Sequence, residues 1–247
     1  MPSLALSGPP SSLRSAVAHT QLGRWADSVW GGAQFAAPSQ PALPSGYPAL
    51  DAELPGGGWP ACGLTELLLE APGSGEWRLL APVLRTLAAA RPVVCIAPPL
   101  QPYAPALQAL GLPLQRFVWL TPPDAADAAW AAEQALRSAS CGAVLWWGEA
   151  AAPMLRRLHL AAREHGGVLI ALRPMAARQQ SSPAPLRLAC TPMAHDRVAV
   201  SVFKRRGPAQ ARPLLLALPA VPGLEHRPLV VEAPHAVART APAVVAA

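Results

Sequence analysis

The sequence predicts an α/β fold with a mostly parallel sheet, helices on both of its faces and an antiparallel hairpin near its C-terminal end. Three observations predict it. From residue 63 onward, apolar runs of strand length alternate with segments of helical period, as strands joined by helical crossovers require. The first such run passes through a glycine-rich turn directly into a helix pattern. After Arg173 the alternation stops, and two strand-length runs flank a short turn near His195.

Taken in order, strands are expected at 64–69, 93–97, 117–120, 143–147 and 168–172, and helices at 76–90, 104–110, 125–138 and 154–165. Asp124 precedes the third helix and can accept from its first-turn N–H groups. Within that helix Glu133 and Arg137 are spaced as an (i, i+4) pair, read as decoration of a solvated face worth a few tenths of a kcal/mol. Pro153 suits the first turn of the fourth helix, where a missing N–H is harmless, and Gly166 with Gly167 ends it. In that helix Met154, Leu155, Leu158 and Ala162 share one face, and Arg156, Arg157, Arg163 and Glu164 the other. The segment 174–185 is polar, and 186–190 and 197–204 read as the two strands of the hairpin.

Two flanking regions stand apart from this core. Residues 1–44 read as an arm holding one helix near 12–29, and residues 219–247, rich in Pro and Ala, as a flexible tail. The domain proper is therefore expected over 45–218. The 247 residues include 31 prolines, more than twice a background of about 5%. No apolar run reaches the roughly 20 residues a bilayer requires, and the first 23 residues lack a charged start followed by a long apolar stretch. A cytoplasmic protein is expected.

The net charge of +6 is carried almost wholly by arginine, since Lys204 is the only lysine. Arginine's planar fork suits phosphate or carboxylate, so nucleic acid or an acidic protein is an admissible partner, and base composition of the genome would equally account for the arginine bias. Cys62, Cys95, Cys141 and Cys190 lie dozens of residues apart and six histidines are scattered. That is not zinc-site spacing, and no metal or catalytic residue is assigned.

The turn after the first core strand holds Glu70, Gly73, Ser74, Gly75, Glu76 and Trp77, the place and length of a phosphate-binding loop. In a working G-x-x-x-x-G-K-[ST] loop, glycines let the backbone wrap phosphate, the lysine reaches it and the hydroxyl holds magnesium. On that frame the first glycine is Glu70, the second is Gly75, the lysine is Glu76 and the hydroxyl is Trp77. Exchanging attraction for repulsion at about 4 Å and an effective dielectric near 20 changes the interaction by roughly several kcal/mol. No nucleotide or other cofactor is expected. Trp77 is expected to plug the vacated cleft. A plain strand-to-helix turn that needed glycine would look similar.

Upstream, Ser45, Gly46, Leu50, Asp51, Leu54 and the run Pro55, Gly56, Gly57, Gly58, Trp59 and Pro60 resemble the lead-in to the RecA-type recombinase core. Pro98 and Pro99 fall where that family carries a catalytic glutamate, and the strand 143–147 ends in Trp147 and Gly148 where it carries a magnesium-binding aspartate. The match extends to the ImuA family, a degenerate RecA-like group associated with translesion synthesis. It is carried by Val29, Trp30 and Gln34, by the lead-in, by Gly73 to Glu76, by Ala97, Pro98, Pro99 and Tyr103, by Asp124, Asp127, Trp130 and Glu133, by Leu155 and Leu158, and by Phe203, Lys204, Arg205, Arg206 and Gly207. It spans residues 29 to 210.

The resemblance implies a non-catalytic accessory protein of the SOS response rather than an enzyme. Its implied role is an adaptor linking RecA and an inactive Y-family polymerase relative (ImuB) with a DnaE-type error-prone polymerase, associated with the nucleoid when engaged. A SulA-like inhibitor acting on the tubulin-like division protein is the alternative, and a divergent ATP-dependent recombinase the second. Arg173, Arg178 and Arg187, around a loop placed like the DNA-binding loop of recombinases, and Lys204, Arg205 and Arg206 with Arg212, are candidate contacts to single-stranded DNA or a partner. A solvated edge, or a dock for an acidic protein, would use the same residues.

Overall fold

The computed structural model describes residues 41–221 apart from 195, 208, 209 and 211. The helix expected near 12–29 and the tail beyond 221 lie outside the described residues. The chain opens with β1 (Ala42–Leu43), α1 (Pro48–Asp51) and β2 (Trp59–Pro60), and continues through β3 (Gly63–Leu69), α2 (Glu76–Ala90), β4 (Val93–Ile96), α3 (Ala104–Ala109) and β5 (Phe117–Leu120). Then come α4 (Ala125–Arg137), β6 (Ala143–Trp147), α5 (Ala152–Glu164), β7 (Val168–Pro174), β8 (Leu186–Met193), β9 (Arg197–Lys204) and β10 (Leu214–Ala217). The eight larger strands form one sheet in the order β10-β9-β8-β3-β7-β6-β4-β5. Neighbours from β8 to β5 are parallel, and β8-β9 and β9-β10 are antiparallel.

The alternating side chains of these strands build two cores. Leu67, Cys95, Leu145 and Ile170 pack with Leu80, Leu84 and Leu107 of α2 and α3 on one face. On the other, Ile96, Val144, Trp146 and Leu169 meet Ala132 and Leu136 of α4 and Leu155 and Leu158 of α5. Burial on both faces explains why the central strands read as continuous apolar runs.

Local signals place most ends. The Asp124 carboxylate accepts from the Asp127 N–H at 2.8 Å, and Pro153 lies in the first turn of α5. The hairpin is longer than expected, reaching Met193 before turning at Asp196 in the left-handed region (φ 56°). β10 adds a third antiparallel strand, and β1 pairs with β2, so residues 42 and 43, expected in the arm, join the lead-in.

The lead-in itself is a clamp on α2. Pro82 stands inside that helix and has no N–H to give to the carbonyl of Arg78 one turn earlier. The hydroxyl of Tyr47 donates to that carbonyl instead, at 2.9 Å. Gly46 lies so close to the Pro82 ring that a Cβ there would come within 2.5 Å of it. Ser45 is fully buried and its N–H reaches the Asp51 carboxylate at 2.8 Å, while Leu50, Leu54 and Trp59 join the core.

Glu133 departs from its reading as surface decoration. Its side chain is only 4% exposed, and it bridges two helices, to Arg137 at 2.9 Å on α4 and to Arg157 at 2.5 Å on α5. The (i, i+4) spacing announces the first partner. The second depends on the packing of α5 beside α4.

Candidate functional site: a cleft over the glycine-rich loop

The C-terminal ends of parallel strands are where open α/β sheets form ligand crevices. Here the segments after β3 and β4 diverge from the end of β6 and leave a cleft of about 230 Å³. Its floor is the loop between β3 and α2, its far wall the segment 98–107, and Trp147 stands at its back.

Gly73 (φ 81°) and Gly75 (φ 98°) give the loop its left-handed turns, which only glycine adopts without strain. Glu76, first residue of α2, is buried, and its Oε1 accepts from the Gly73 N–H at 2.8 Å. The chain's own carboxylate thus takes a loop N–H of the kind that a phosphate would use, at a helix N-terminus that favours negative charge. The other oxygen, Oε2, is buried with no hydrogen-bond partner among the described residues. The Ser74 hydroxyl turns back to the Ala71 carbonyl. Glu70 is exposed.

Trp77 packs against Trp147, Trp119 and Phe117, with ring centroids 5.4, 5.7 and 6.5 Å away. It is half-buried and forms one wall rather than filling the cleft. Arg78 is committed elsewhere. It donates to the Leu218 and Pro219 carbonyls, each at 2.8 Å, and pairs with Asp196 at 2.9 Å. This ties the segment after β10 across the loop, where Leu218 closes on Gly75. Pro98 and Pro99 line the opposite wall, following Ala97, which holds a left-handed φ of 52°. Leu100 and Tyr103 stand on the lip, each 60% exposed.

The arginine candidates separate into two groups, and two of them require correction. Arg173 and Arg187 are 2% and 5% exposed and pair with the fully buried Glu66 at 3.1 and 2.5 Å. Ser182 donates to the same carboxylate at 2.7 Å, and Gln180 accepts from Arg173 at 2.7 Å. Their guanidinium groups neutralise a buried anion, so they are not surface contacts to DNA or a partner. Arg178 is exposed and stacks on Phe203, 5.0 Å from the ring centroid, and the Arg187 guanidinium lies 4.9 Å from the same centroid. The Lys204 ammonium donates to the Ser182 carbonyl at 2.6 Å, and burial, with Arg187 nearby, lowers its pKa. Arg205 is half-buried and pairs with Glu53 at 2.8 Å. Arg206 and Arg212 are exposed.

Sequence reasoning passed over Glu66. The available signal was a single carboxylate in a seven-residue strand that is otherwise apolar apart from Thr65, a position that demands a buried counter-charge. The cysteines behave as small apolar residues: burial pushes the Cys95, Cys141 and Cys190 thiols well up. Among the described residues no group of three or more His, Cys, Asp or Glu is placed to hold a metal, and no helix is long and apolar enough to cross a membrane.

No protein-family model matches the chain, and no curated protein does. Among solved structures it is similar to one described as the crystal structure of SulA from Pseudomonas aeruginosa, at 29% identity and a TM-score of 0.39, over 44% of this chain and 97% of that one.

Proposed function

We propose that this chain is a non-catalytic accessory protein of damage-induced translesion DNA synthesis, an adaptor on a degenerate RecA-like domain of the ImuA kind. The observation that carries the reading is the state of the phosphate loop. Glu76 occupies the lysine position of the loop frame and consumes the Gly73 N–H, and Trp77 occupies the hydroxyl position and is packed into an aromatic cluster. Such a loop repels a triphosphate and offers magnesium no hydroxyl, so the domain offers surface rather than turnover. Its partners under this reading are RecA, an ImuB-type polymerase relative and, through them, a DnaE-type polymerase, in the cytoplasm and at the nucleoid. Single-stranded DNA would meet Arg178, Lys204, Arg206 and Arg212, all exposed, and that contact would weaken steeply with salt.

Two measurements test the reading. Titration with ATP and magnesium should give no saturable binding, and tight metal-dependent binding would favour the divergent recombinase. Affinity purification of the full chain from DNA-damaged cells should retain RecA or the Y-family relative. Retention of the tubulin-like division protein instead would overturn the pathway in favour of a SulA-like division inhibitor.

A further inference from the structure

We propose that the cleft over the glycine-rich loop is the docking groove for this chain's own residues 222–231, with Leu224 as the side chain that enters it. The route of the backbone carries the proposal. After β10 the chain crosses the loop under restraint. The Leu218 N–H donates to the Asp196 carbonyl at 2.8 Å, Arg78 donates to the Leu218 and Pro219 carbonyls, each at 2.8 Å, and the buried Leu218 closes on Gly75. Three residues after Leu218, Val221 packs against the core and forms part of the cleft wall. Residue 222 therefore starts at the cleft itself, held there by contacts on the residues before it.

The walls specify an apolar guest. Trp77, Trp147, Leu107, Pro99, Leu100 and Tyr103 give the cleft aromatic and aliphatic faces, and the last three of them are exposed. The two charged lining residues are engaged elsewhere: Glu76 is buried and accepts from the Gly73 N–H, and Arg78 holds Asp196 and the two carbonyls. An apolar cavity of about 150 Å³ takes a benzene ring. The 230 Å³ here is room for one branched aliphatic side chain and the backbone that carries it.

The sequence beyond Val221 supplies that guest within reach. Leu224 is the first large apolar residue after it, three positions on, and three extended residues span about 10 Å. Gly223, between them, permits the chain to turn back into the cleft. Leu229, Val230 and Val231 follow as a second apolar run, suited to cover Leu100 and Tyr103 on the lip, since removing apolar surface from water is what drives such a contact. A tether of so few residues holds Leu224 at an effective concentration on the order of millimolar. A protein partner that uses the same apolar walls has to displace this segment first. The inference rests on the cleft and the path of the chain, and is independent of the pathway proposed above.

The test is photo-crosslinking of the full chain carrying Tyr103→p-benzoylphenylalanine, a substitution on the exposed lip that leaves the core untouched. The expected product has the mass of one chain, and its cross-link, located by tandem mass spectrometry, falls within residues 222–231. In the same background Leu224→Asp should lower the yield several-fold by removing the apolar side chain that docks. Val237→Asp, further along the same segment, should leave the yield unchanged. Cross-links confined to residues up to 221, or no cross-link at all, would overturn the proposal. So would equal yields from the two Asp variants, or a product joining two chains, which would make a second copy the occupant of the cleft.

Discussion

The bond from Tyr47 to the Arg78 carbonyl can be tested in isolation, because the structure says why it exists. Pro82 deprives that carbonyl of its helical donor, so Tyr47→Phe leaves a partly buried acceptor unpaired while keeping the ring. A net hydrogen bond is worth about 1 kcal/mol, and an abandoned buried acceptor about 1–3 kcal/mol. With partial solvent access, a loss of about 1–2 kcal/mol is expected, or about 2–8 °C in Tm for a domain of this size. Pro82→Ala restores an N–H at position 82 that reaches the same carbonyl through the helix. In that background Tyr47→Phe should cost less than about 0.5 kcal/mol, giving a coupling near 1 kcal/mol in the double-mutant cycle. Loss of the contact between Gly46 and the Pro82 ring occurs on both arms of the cycle and cancels. Urea unfolding followed by far-ultraviolet circular dichroism reads the helix without relying on the tryptophans. Equal losses in the two backgrounds would refute the argument, because the hydroxyl would then be serving something other than the carbonyl left by proline.

The same hydroxyl predicts an alkaline limit. Burial raises the Tyr47 pKa above 10, against opposing pulls from Arg78 and Arg85. Its contribution is therefore full below pH 10 and lost as pH climbs through the folded-state value, and Tyr47→Phe should remove that loss from the stability–pH profile. On the acid side His159 adds a dependence of its own. Its Nδ1 accepts from the Leu64 N–H at 3.1 Å, so it must be neutral there, and burial, then Arg163, Arg206 and Lys204, lower its pKa. Stability from this contact is present above pH 6.5 and falls as pH drops through the lowered value, and His159→Asn, which keeps an acceptor, should flatten that fall in denaturation curves. Glu66→Gln strands two buried guanidinium groups and should lower stability by about 3–5 kcal/mol in urea unfolding, whereas the apolar triple variant Glu66→Leu, Arg173→Met, Arg187→Met should lose far less. Trp77→Ala removes a ring packed against three others and should cost about 3 kcal/mol. A near-neutral value would mean that the aromatic cluster does not support the cleft.

Sequence and structure meet unevenly along this chain. Strands 117–120 and 143–147 and the helix 76–90 are readable to the residue, because apolar runs, proline, glycine and capping aspartate act through neighbours a few positions away. Glu76 and Trp77 stand out in the same way: set on a phosphate-loop frame, a carboxylate and an indole fall where a lysine and a hydroxyl are required. What local pattern leaves unstated is every meeting across the fold. Arg173 and Arg187 look like surface cations flanking the polar stretch 174–185, and become core residues because β7 and β8 flank β3 and bring them to Glu66, 107 and 121 residues away in sequence. Glu133 acquires Arg157 only when α5 packs beside α4. The loop at Gly73 to Trp77 and the lip at Leu100 and Tyr103 border one cleft only because β3 and β4, separated in the sheet by β7 and β6, release their following segments over it. The alternation of apolar runs with helical periods determined the α/β class and the order of the core elements, and the loop frame singled out Glu76 and Trp77. Tertiary structure decided which charges are buried and which residues line the cleft, since those depend on strand order and crossover, and no spacing in the chain encodes which strands become neighbours.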